Sequence, residues 1–326
     1  MTSFKSLLGA VALSLGALAP EAPVHAQELR IGLITPPAHQ WTKSAAHLAE
    51  RLAEESGERL VLTVFSSGQL GNEAQLLQQL QAGALDMAFM TVGEFANRDA
   101  EFGALTAPYL VESAEQAAQL LEGPTATGLL DKALDLGVVG LGWGMAGMRI
   151  VLVSKPLGED GTVAGRKMRT VPLAQELDFW SRAGAAPTPL PLPDLFDAYA
   201  NGQIDGMQID LEGTFNTRFH DYSAAVLDSE HMIFPMIAVV SARKWQTLTE
   251  EDRALIARLV AEETAAIRAA YPGIDADYRA RLAEDGAPLV KAGPEIFGNA
   301  VETWYEEWRG RTPILTALEA EAATLR

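Results

Sequence analysis

The stretch that decides the fold runs from Leu29 to Met90. It reads LRIGLIT (29–35), WTKSAAHLAERLAEES (41–56), LVLTVF (60–65), NEAQLLQQLQA (72–82) and LDMAFM (85–90), with short polar connections between these segments. The first, third and last segments are short and apolar, as buried strands are, whereas the other two carry apolar residues at helical spacing. This β-α-β-α-β order predicts a parallel sheet with helices on its faces.

The same alternation continues through the rest of the chain. Thr249 and Asp252 resemble a capping box that opens a long helix to about Ala270, and residues 276–326 are acidic and mostly helical in pattern. One further helix is predicted at 174–183. The further predicted strands are 138–142, 148–154, 167–170, 188–192, 204–209 and 232–240. We therefore predict an α/β protein without internal repeats or flexible linkers.

Length and charge narrow the class of protein. The chain has 326 residues, which suggests about two lobes of ~150 residues each. Its net charge is −18, which argues against binding nucleic acid or an anionic membrane surface. It has no cysteine, which excludes disulfides, thiolate metal sites and cysteine nucleophiles.

The N-terminal residues 1–26 are typical of a secretory signal peptide. Lys5 precedes an apolar run from Leu7 to about Ala19, prolines follow, and VHA (24–26) places small residues at a cleavage site. The apolar run is shorter than the ~20 residues of a membrane-spanning helix. We therefore expect cleavage near Ala26, export to a bacterial periplasm and no direct membrane insertion.

Catalytic and cofactor motifs are missing from the sequence. There is no G-x-S-x-G, and no two histidines are spaced H-x-x-x-H. GWGMAG (142–147) matches G-x-G-x-x-G, but a β-branched segment follows it where a dinucleotide site requires a helix. We therefore expect no enzyme activity, no cofactor and no metal.

A set of short motifs occurs in order along the mature chain. They are GQLG (68–71), GALDM (83–87), APYL (107–110), G-x-R (147–149), GRKMR (165–169) and GQIDG (202–206). Together they resemble the solute-binding proteins of tripartite ATP-independent periplasmic (TRAP) transporters, the DctP family. The resemblance covers about residues 30–260.

The resemblance implies a two-lobe periplasmic binding protein fold with shared hinge strands and a long helix spanning both lobes. We expect lobe I to hold 27–146 plus about 235–274, and lobe II to hold 147–234 plus about 275–326 with the C-terminal helices. The long helix would come from 249–270 or from 294–308. Ligand binds between the lobes, and hinge bending closes them around it.

Two arginines are the main candidates for ligand binding. Arginine presents a planar fork that holds a carboxylate by two parallel hydrogen bonds and stays charged at working pH. In the family, the arginine of the G-x-K-x-R motif makes this contact, which here falls on Arg169. Arg149, of G-x-R, would assist from a neighbouring strand, with a surface or interdomain salt bridge as its alternative role.

Further candidates follow from the same resemblance. Ile209 stands where the family frequently has a ligand-contacting Asn, so Asp210 or Gln208 would take over that contact, or the ligand has a more apolar body. Trp143 is a candidate aromatic wall, with an ordinary core position as its alternative. The remaining candidates are Met90, Thr91, Glu73 and Leu192.

The function implied is capture of a small organic acid and its delivery to TRAP membrane permease subunits, by a protein that we expect to be a monomer. A partly apolar monocarboxylate is favoured as ligand. An extracytoplasmic carboxylate sensor or scavenger fits the same residues. An exported two-lobe enzyme is a further alternative, but it would need a general base near Arg169, and no histidine lies close to that residue in sequence.

Overall fold

The computed structural model describes residues 26–326, so the predicted signal peptide lies outside the described residues except for Ala26. The strands are β1 (Gln27–Gly32), β2 (Leu60–Phe65), β3 (Met87–Thr91), β4 (Val138–Ala146), β5 (Ile150–Val153), β6 (Lys167–Thr170), β7 (Ala186–Pro189), β8 (Gly206–Ile209), β9 (Ala225–Asp228), β10 (Phe234–Ser241) and β11 (Leu289–Lys291). The helices are α1 (Gln40–Ser56), α2 (Glu73–Ala82), α3 (Gly93–Ala96), α4 (Ala100–Gly103), α5 (Ala114–Glu122), α6 (Pro124–Lys132), α7 (Ala174–Arg182), α8 (Leu195–Ala200), α9 (Leu211–Asn216), α10 (Ala242–Thr247), α11 (Glu250–Glu284), α12 (Ala300–Arg311) and α13 (Ile314–Ala323).

Within residues 26–326 the strands form two sheets. The first has the order β2-β1-β3-β10-β4, and the second has the order β11-β9-β5-β8-β6-β7. In the first sheet β1, β2 and β3 are parallel, as the opening stretch predicts, and β10 runs antiparallel between β3 and β4. Each sheet is the centre of one lobe.

Local sequence explains where α2 begins and ends. The Asn72 side chain accepts a hydrogen bond from the Gln75 backbone N–H, and the Gln75 side chain accepts one from the Asn72 backbone N–H. The two bonds together make a complete capping box. Gly83 ends the helix at φ 75°, a left-handed conformation that glycine adopts without strain. These caps hold the start of α2, and with it Glu73, at one fixed place.

The chain crosses between the lobes in paired segments. One crossing joins β4 to β5 through residues 147–149, and another joins β9 to β10 through residues 229–233. The crossings are hydrogen-bonded to each other: Arg149 N–H donates to Met232 O at 2.8 Å, and His231 N–H donates to Arg149 O at 3.1 Å. This arrangement forms a two-stranded hinge between the lobes.

The long helix α11 contacts both lobes. Its first half packs against α1 and β4 of the first lobe, and its second half packs against α9 of the second lobe. The predicted end near Ala270 is wrong, because α11 continues through Pro272 to Glu284. Tyr271, Tyr278 and Leu282 are buried beyond or near that point, so tertiary packing outweighs the helix-breaking proline.

The last two helices pack in different places. α12 lies against α7 of the second lobe, whereas α13 packs against α5 and α6 beside the first sheet. Residues 314–323 thus lie with the first lobe, apart from the rest of the segment 275–326. The predicted division of the chain into lobes stays a prediction in its other details.

Candidate ligand-binding site

A cavity of about 550 Å³ lies between the two sheets. It is bordered by the carboxyl ends of β3 and β4 in the first sheet and of β6 and β8 in the second. The antiparallel strands β5 and β10 begin at the same edges, next to Arg149 and at Phe234. Ligands of open α/β sheets bind outside the carboxyl ends of strands, so this cavity is the expected place for one.

Arg169 lies at the end of β6 with only 3% of its surface exposed. Its Nε donates to Leu190 O at 2.9 Å, which fixes the plane of the guanidinium. Among the described residues, neither of its terminal nitrogens has a hydrogen-bond or ion-pair partner, and the residue lines the cavity. Burial lowers the pKa of Arg169 to about 10, with Arg149 adding to the effect, so the group remains a cation at neutral pH.

Arg149 is buried as well but has a partner. Its Nη1 donates to Oδ2 of Asp210 at 2.8 Å, and its guanidinium carbon lies 3.9 Å from the ring centre of Phe234. Asp210 is also the N-cap of α9, where its Oδ1 accepts from Gly213 N–H at 2.7 Å. Arg149 therefore forms a salt bridge, but this one is buried at the ends of β5 and β8 in the second lobe, and is not the surface or interdomain salt bridge that we named as its alternative role.

Glu73 brings a carboxyl group to the first-lobe side of the cavity. Its Oε1 accepts from the Thr91 backbone N–H and its Oε2 from the Thr91 hydroxyl, both at 2.5 Å. Burial raises the pKa of Glu73 to about 7, even though the Thr91 hydrogen bonds act in the opposite direction. The capped helix α2 and the end of β3 hold this pair in place.

Apolar side chains cover much of the remaining cavity surface. Leu192 and Ile209 face it from the second lobe, and Trp41 faces it from α1. The other large apolar groups are Phe196, Phe219 and Phe234. A ligand of this cavity thus meets a few charged groups fixed within a largely apolar wall, the usual composition of a small-molecule site.

His39 and Glu212 form a polar contact beside the cavity and across the lobes. Nε2 of His39 lies 3.6 Å from Oε2 of Glu212, and Glu212 also accepts from Gln40 N–H and the Tyr271 hydroxyl, each at 3.0 Å. Burial lowers the pKa of His39 to about 4 and raises that of Glu212 to about 7. Burial therefore favours the neutral form of each group.

The same residues are of types that bind metals. His39, Asp210 and Glu212 offer ligand atoms within 4.8 Å of one another. However, Asp210 is already paired with Arg149, and the guanidinium of Arg149 opposes a second cation there. Both carboxylate oxygens of Asp210 and both of Glu212 already accept hydrogen bonds or an ion pair from protein groups.

Residues 31–310 match the family model of the bacterial extracellular solute-binding proteins, family 7, named DctP. The chain belongs to the DctP family. It is 25% identical over 306 residues to a solute-binding protein of Roseobacter denitrificans, covering 93% of this chain and 94% of that protein. It is 24% identical over 280 residues to the sialic acid-binding periplasmic protein SiaP of Vibrio cholerae, covering 85% and 87%.

A solved structure of the same fold is that of the sugar acid-binding protein of Advenella mimigardefordensis in complex with galactonate. It superposes with a TM-score of 0.87 at 22% identity and covers 92% of this chain and 99% of that one. The predicted two-lobe fold and the resemblance to TRAP solute-binding proteins are confirmed. In the described part of the chain, no helix combines the length and the apolarity needed to cross a bilayer.

The structure of this DctP-family protein brings together seven of the ten candidate residues at the cavity surface. They are Glu73, Thr91, Arg149, Arg169, Leu192, Ile209 and Asp210. The aromatic residues Phe219 and Phe234 line it too, and no motif of the sequence pointed to either of them. Phe219 and Phe234 are far in sequence from the lining residues of the first lobe, and only the fold of the whole chain brings them to the same cavity.

Three candidates are not among the residues that line the cavity, and for Trp143 this is the core position that we named as its alternative. Trp143 is a core residue whose Nε1 donates to Ala126 O at 2.7 Å, and Met90 is buried in the first-lobe core. Gln208 is fully buried, donates to Glu176 and accepts from His231 at 2.9 Å. In a strand successive side chains point to opposite faces, which directs these residues away from the cavity.

Proposed function

We propose that this DctP-family protein captures a small organic acid in the interlobe cavity and delivers it to a TRAP-type permease in the membrane. The observation that carries the proposal is Arg169, a buried cation whose two terminal nitrogens have no hydrogen-bond or ion-pair partner among residues 26–326. A buried charge without a partner is costly, and a bidentate carboxylate would supply both the counter-charge and the missing hydrogen bonds.

The ligands of similar proteins favour the same chemistry. The Advenella protein was solved with galactonate, and the relative in Vibrio cholerae binds sialic acid. Both compounds pair a carboxylate with a larger body. In this chain the carboxylate would contact Arg169, and the body would lie between Leu192, Ile209 and the Glu73–Thr91 pair.

Several properties follow from this role. The mature protein would begin near Gln27 in the periplasm, act as a monomer and bind its ligand without converting it. Hinge bending at 147–149 and 229–233 would close the lobes over the acid, and the permease would recognise the closed form. An acid recovered chemically unchanged from the complex supports binding without catalysis.

A thermal-shift screen of the purified mature protein tests the proposal. The protein is unfolded and refolded to remove carried-over ligand and then mixed with D-galactonate, D-galacturonate, D-glucuronate, L-gulonate, pantoate and sialic acid. One site at 100 times its Kd adds about 2.7 kcal/mol, a shift of about 5 °C for a chain of this size. Arg169→Ala is screened in parallel.

The matched control is Arg258→Ala, which removes a positive charge from the outer surface, where Arg258 pairs with Glu55 and Glu262. We expect the shift to survive in Arg258→Ala and to disappear in Arg169→Ala. A shift retained in Arg169→Ala would remove the proposed anchor. No shift with any acid across a wider organic-acid panel would contradict carboxylate capture altogether.

A further inference from the structure

We infer that Asp210 limits the cavity to ligands with a single carboxylate. Besides Arg169, Arg149 is the only buried cation among the described lining residues, and Asp210 is already paired with it, so a second ligand carboxylate has no cation to bind. This inference rests on the proposed function. It gives Asp210 the role of a specificity-determining residue, whereas Arg169 is the anchor.

Strand register places the pair. β5 and β8 run antiparallel, with Ile150 opposite Ile209, so Arg149 and Asp210 are the next residues beyond that matched pair, at the cavity edge. Arg149 is 5% exposed and Asp210 4% exposed. The contact at 2.8 Å is therefore a consequence of the sheet and is shielded from water.

Asp210 is not free to move aside for a ligand. Its second oxygen caps α9 through Gly213 N–H, so both carboxylate oxygens have fixed partners. A second ligand carboxylate that took Arg149 would leave Asp210 buried beside it, anion against anion. Breaking a buried pair in this way is costly, because it leaves an uncompensated charge in a low-dielectric site.

The other ionisable groups at the cavity surface do not offer a substitute. Apart from the two arginines and Asp210, the described lining carries the carboxyl groups of Glu73 and Glu94 and the neutral imidazole of His39. Glu94 is already paired with Arg98 at 2.7 Å. Three carboxyl groups thus face two guanidinium groups, and among the described residues Arg169 is the one with no carboxylate at ion-pair distance, although Glu176 and Glu73 lie near enough to favour its charge.

Arg149 can still bind an uncharged group of the ligand. Only its Nη1 is bonded to Asp210, and its Nη2 has no hydrogen-bond partner among residues 26–326. With its charge balanced, this nitrogen can donate to a hydroxyl or carbonyl oxygen of the ligand. The cavity therefore selects an acid with one carboxylate at Arg169 and an uncharged oxygen, such as a hydroxyl, near Arg149.

The test compares acids that differ in a single end group. D-galactonate and galactarate share one carbon skeleton, and the far CH₂OH of the first is a carboxylate in the second; D-gluconate and D-glucarate form a second such pair. If a different panel acid binds most tightly, it is compared with its counterpart bearing a second terminal carboxylate. Kd values are measured by calorimetry at pH 7.5 for wild type, Asp210→Asn and the double variant Arg149→Gln/Asp210→Asn.

We expect wild type to bind the monoacid at least about tenfold more tightly than the diacid, the difference typical of one charge-assisted hydrogen bond. Asp210→Asn leaves Arg149 without its ion pair, so this variant should bind the diacid more tightly. The ratio of the diacid Kd to the monoacid Kd should therefore fall about tenfold or more. The double variant, which again lacks a free second cation, should return to the preference for the monoacid. Asp99→Asn, at a helix N-cap outside the cavity, should leave the ratio unchanged.

The possible failures are distinguishable. Equal affinity of wild type for both members of a pair overturns the inference but leaves Arg169 as anchor, and so does an unchanged ratio in Asp210→Asn. If Asp210→Asn does not fold, the wild-type ratio and the double variant decide. Absence of binding by every acid, or binding that survives Arg169→Ala, overturns the proposed function and this inference with it.

Discussion

Replacing either of the two buried arginines of the cavity by methionine should change the stability of the ligand-free protein, but in opposite directions: the loss of Arg169 should stabilise it and the loss of Arg149 should destabilise it. Burial lowers the pKa of Arg169 from 12.5 to about 10. At about 1.36 kcal/mol per pKa unit, holding the cation there costs the folded protein roughly 3 kcal/mol. Arg169→Met removes that cost, and it also removes the hydrogen bond to Leu190 O, worth about 1 kcal/mol. The ligand-free variant should therefore gain about 2 kcal/mol and about 4 °C in Tm.

Arg149→Met is the matched control, because both arginines are buried but only Arg149 is paired. Its loss strands Asp210 in the interior, which should destabilise the protein by about 3–5 kcal/mol. Calorimetry and urea unfolding of refolded, ligand-free protein measure both changes, with mass spectrometry verifying that no ligand remains. A lower Tm for Arg169→Met, or shifts of the same sign for both variants, would refute the idea that Arg169 is held at a cost until an anion arrives.

Three smaller predictions concern the hinge and the outer surface. Burial raises the pKa of Asp275 from 3.8 to about 7, so its ionisation destabilises the fold progressively as pH rises from about 4 to 7. Asp275→Asn, which keeps an acceptor for Met148 N–H, should match wild type near pH 4 and become more stable above it, by up to about 4 kcal/mol at pH 7.5; a pH-independent difference in Tm would contradict this. A Cβ at Gly147 would lie 2.0 Å from Oδ1 of Asp275, so Gly147→Ala should cost about 2 kcal/mol in urea unfolding, and a cost below about 0.5 kcal/mol would mean that the hinge can yield. Glu55→Gln breaks an exposed ion pair with Arg258 and should leave Tm within about 1 °C; a larger drop that persists in 1 M NaCl would count against a screened surface contact.

The elements that the sequence predicted well are those fixed by local patterns. The periodicity of the opening segments depends on neighbouring residues, and the structure has strands and helices at those segments. The ends of α2 are local as well, because the Asn72 capping box and Gly83 set them. The end of α11 does not depend on neighbours alone. Pro272 should end an isolated helix, but Tyr271 and Asp275 on either side are buried against the second lobe and the hinge, and these contacts hold the backbone helical.

The candidate site shows the same limit at the level of single residues. The family resemblance pointed to the right strand ends, but at two of them it named neighbouring residues whose side chains point in opposite directions. Thr91 faces the cavity and Met90 does not, and Ile209 faces it while Gln208 lies behind. Because side chains alternate between the two faces of a strand, only one residue of each of these two pairs can face the cavity. Which residue does so depends on the face that each sheet turns toward the other lobe.

The place of β10 in the first sheet has a consequence for biosynthesis. This strand is hydrogen-bonded between β3 and β4, yet it follows β3 by more than a hundred residues and the whole of β5–β9. A nascent chain that has not yet reached Ser241 leaves the facing edges of β3 and β4 without the strand that joins them. Such long-range pairing folds slowly, because the chain must close a large loop before the contacts form. If the chain is exported as we propose, delayed closure of the first lobe would keep the polypeptide unfolded until it has crossed the membrane.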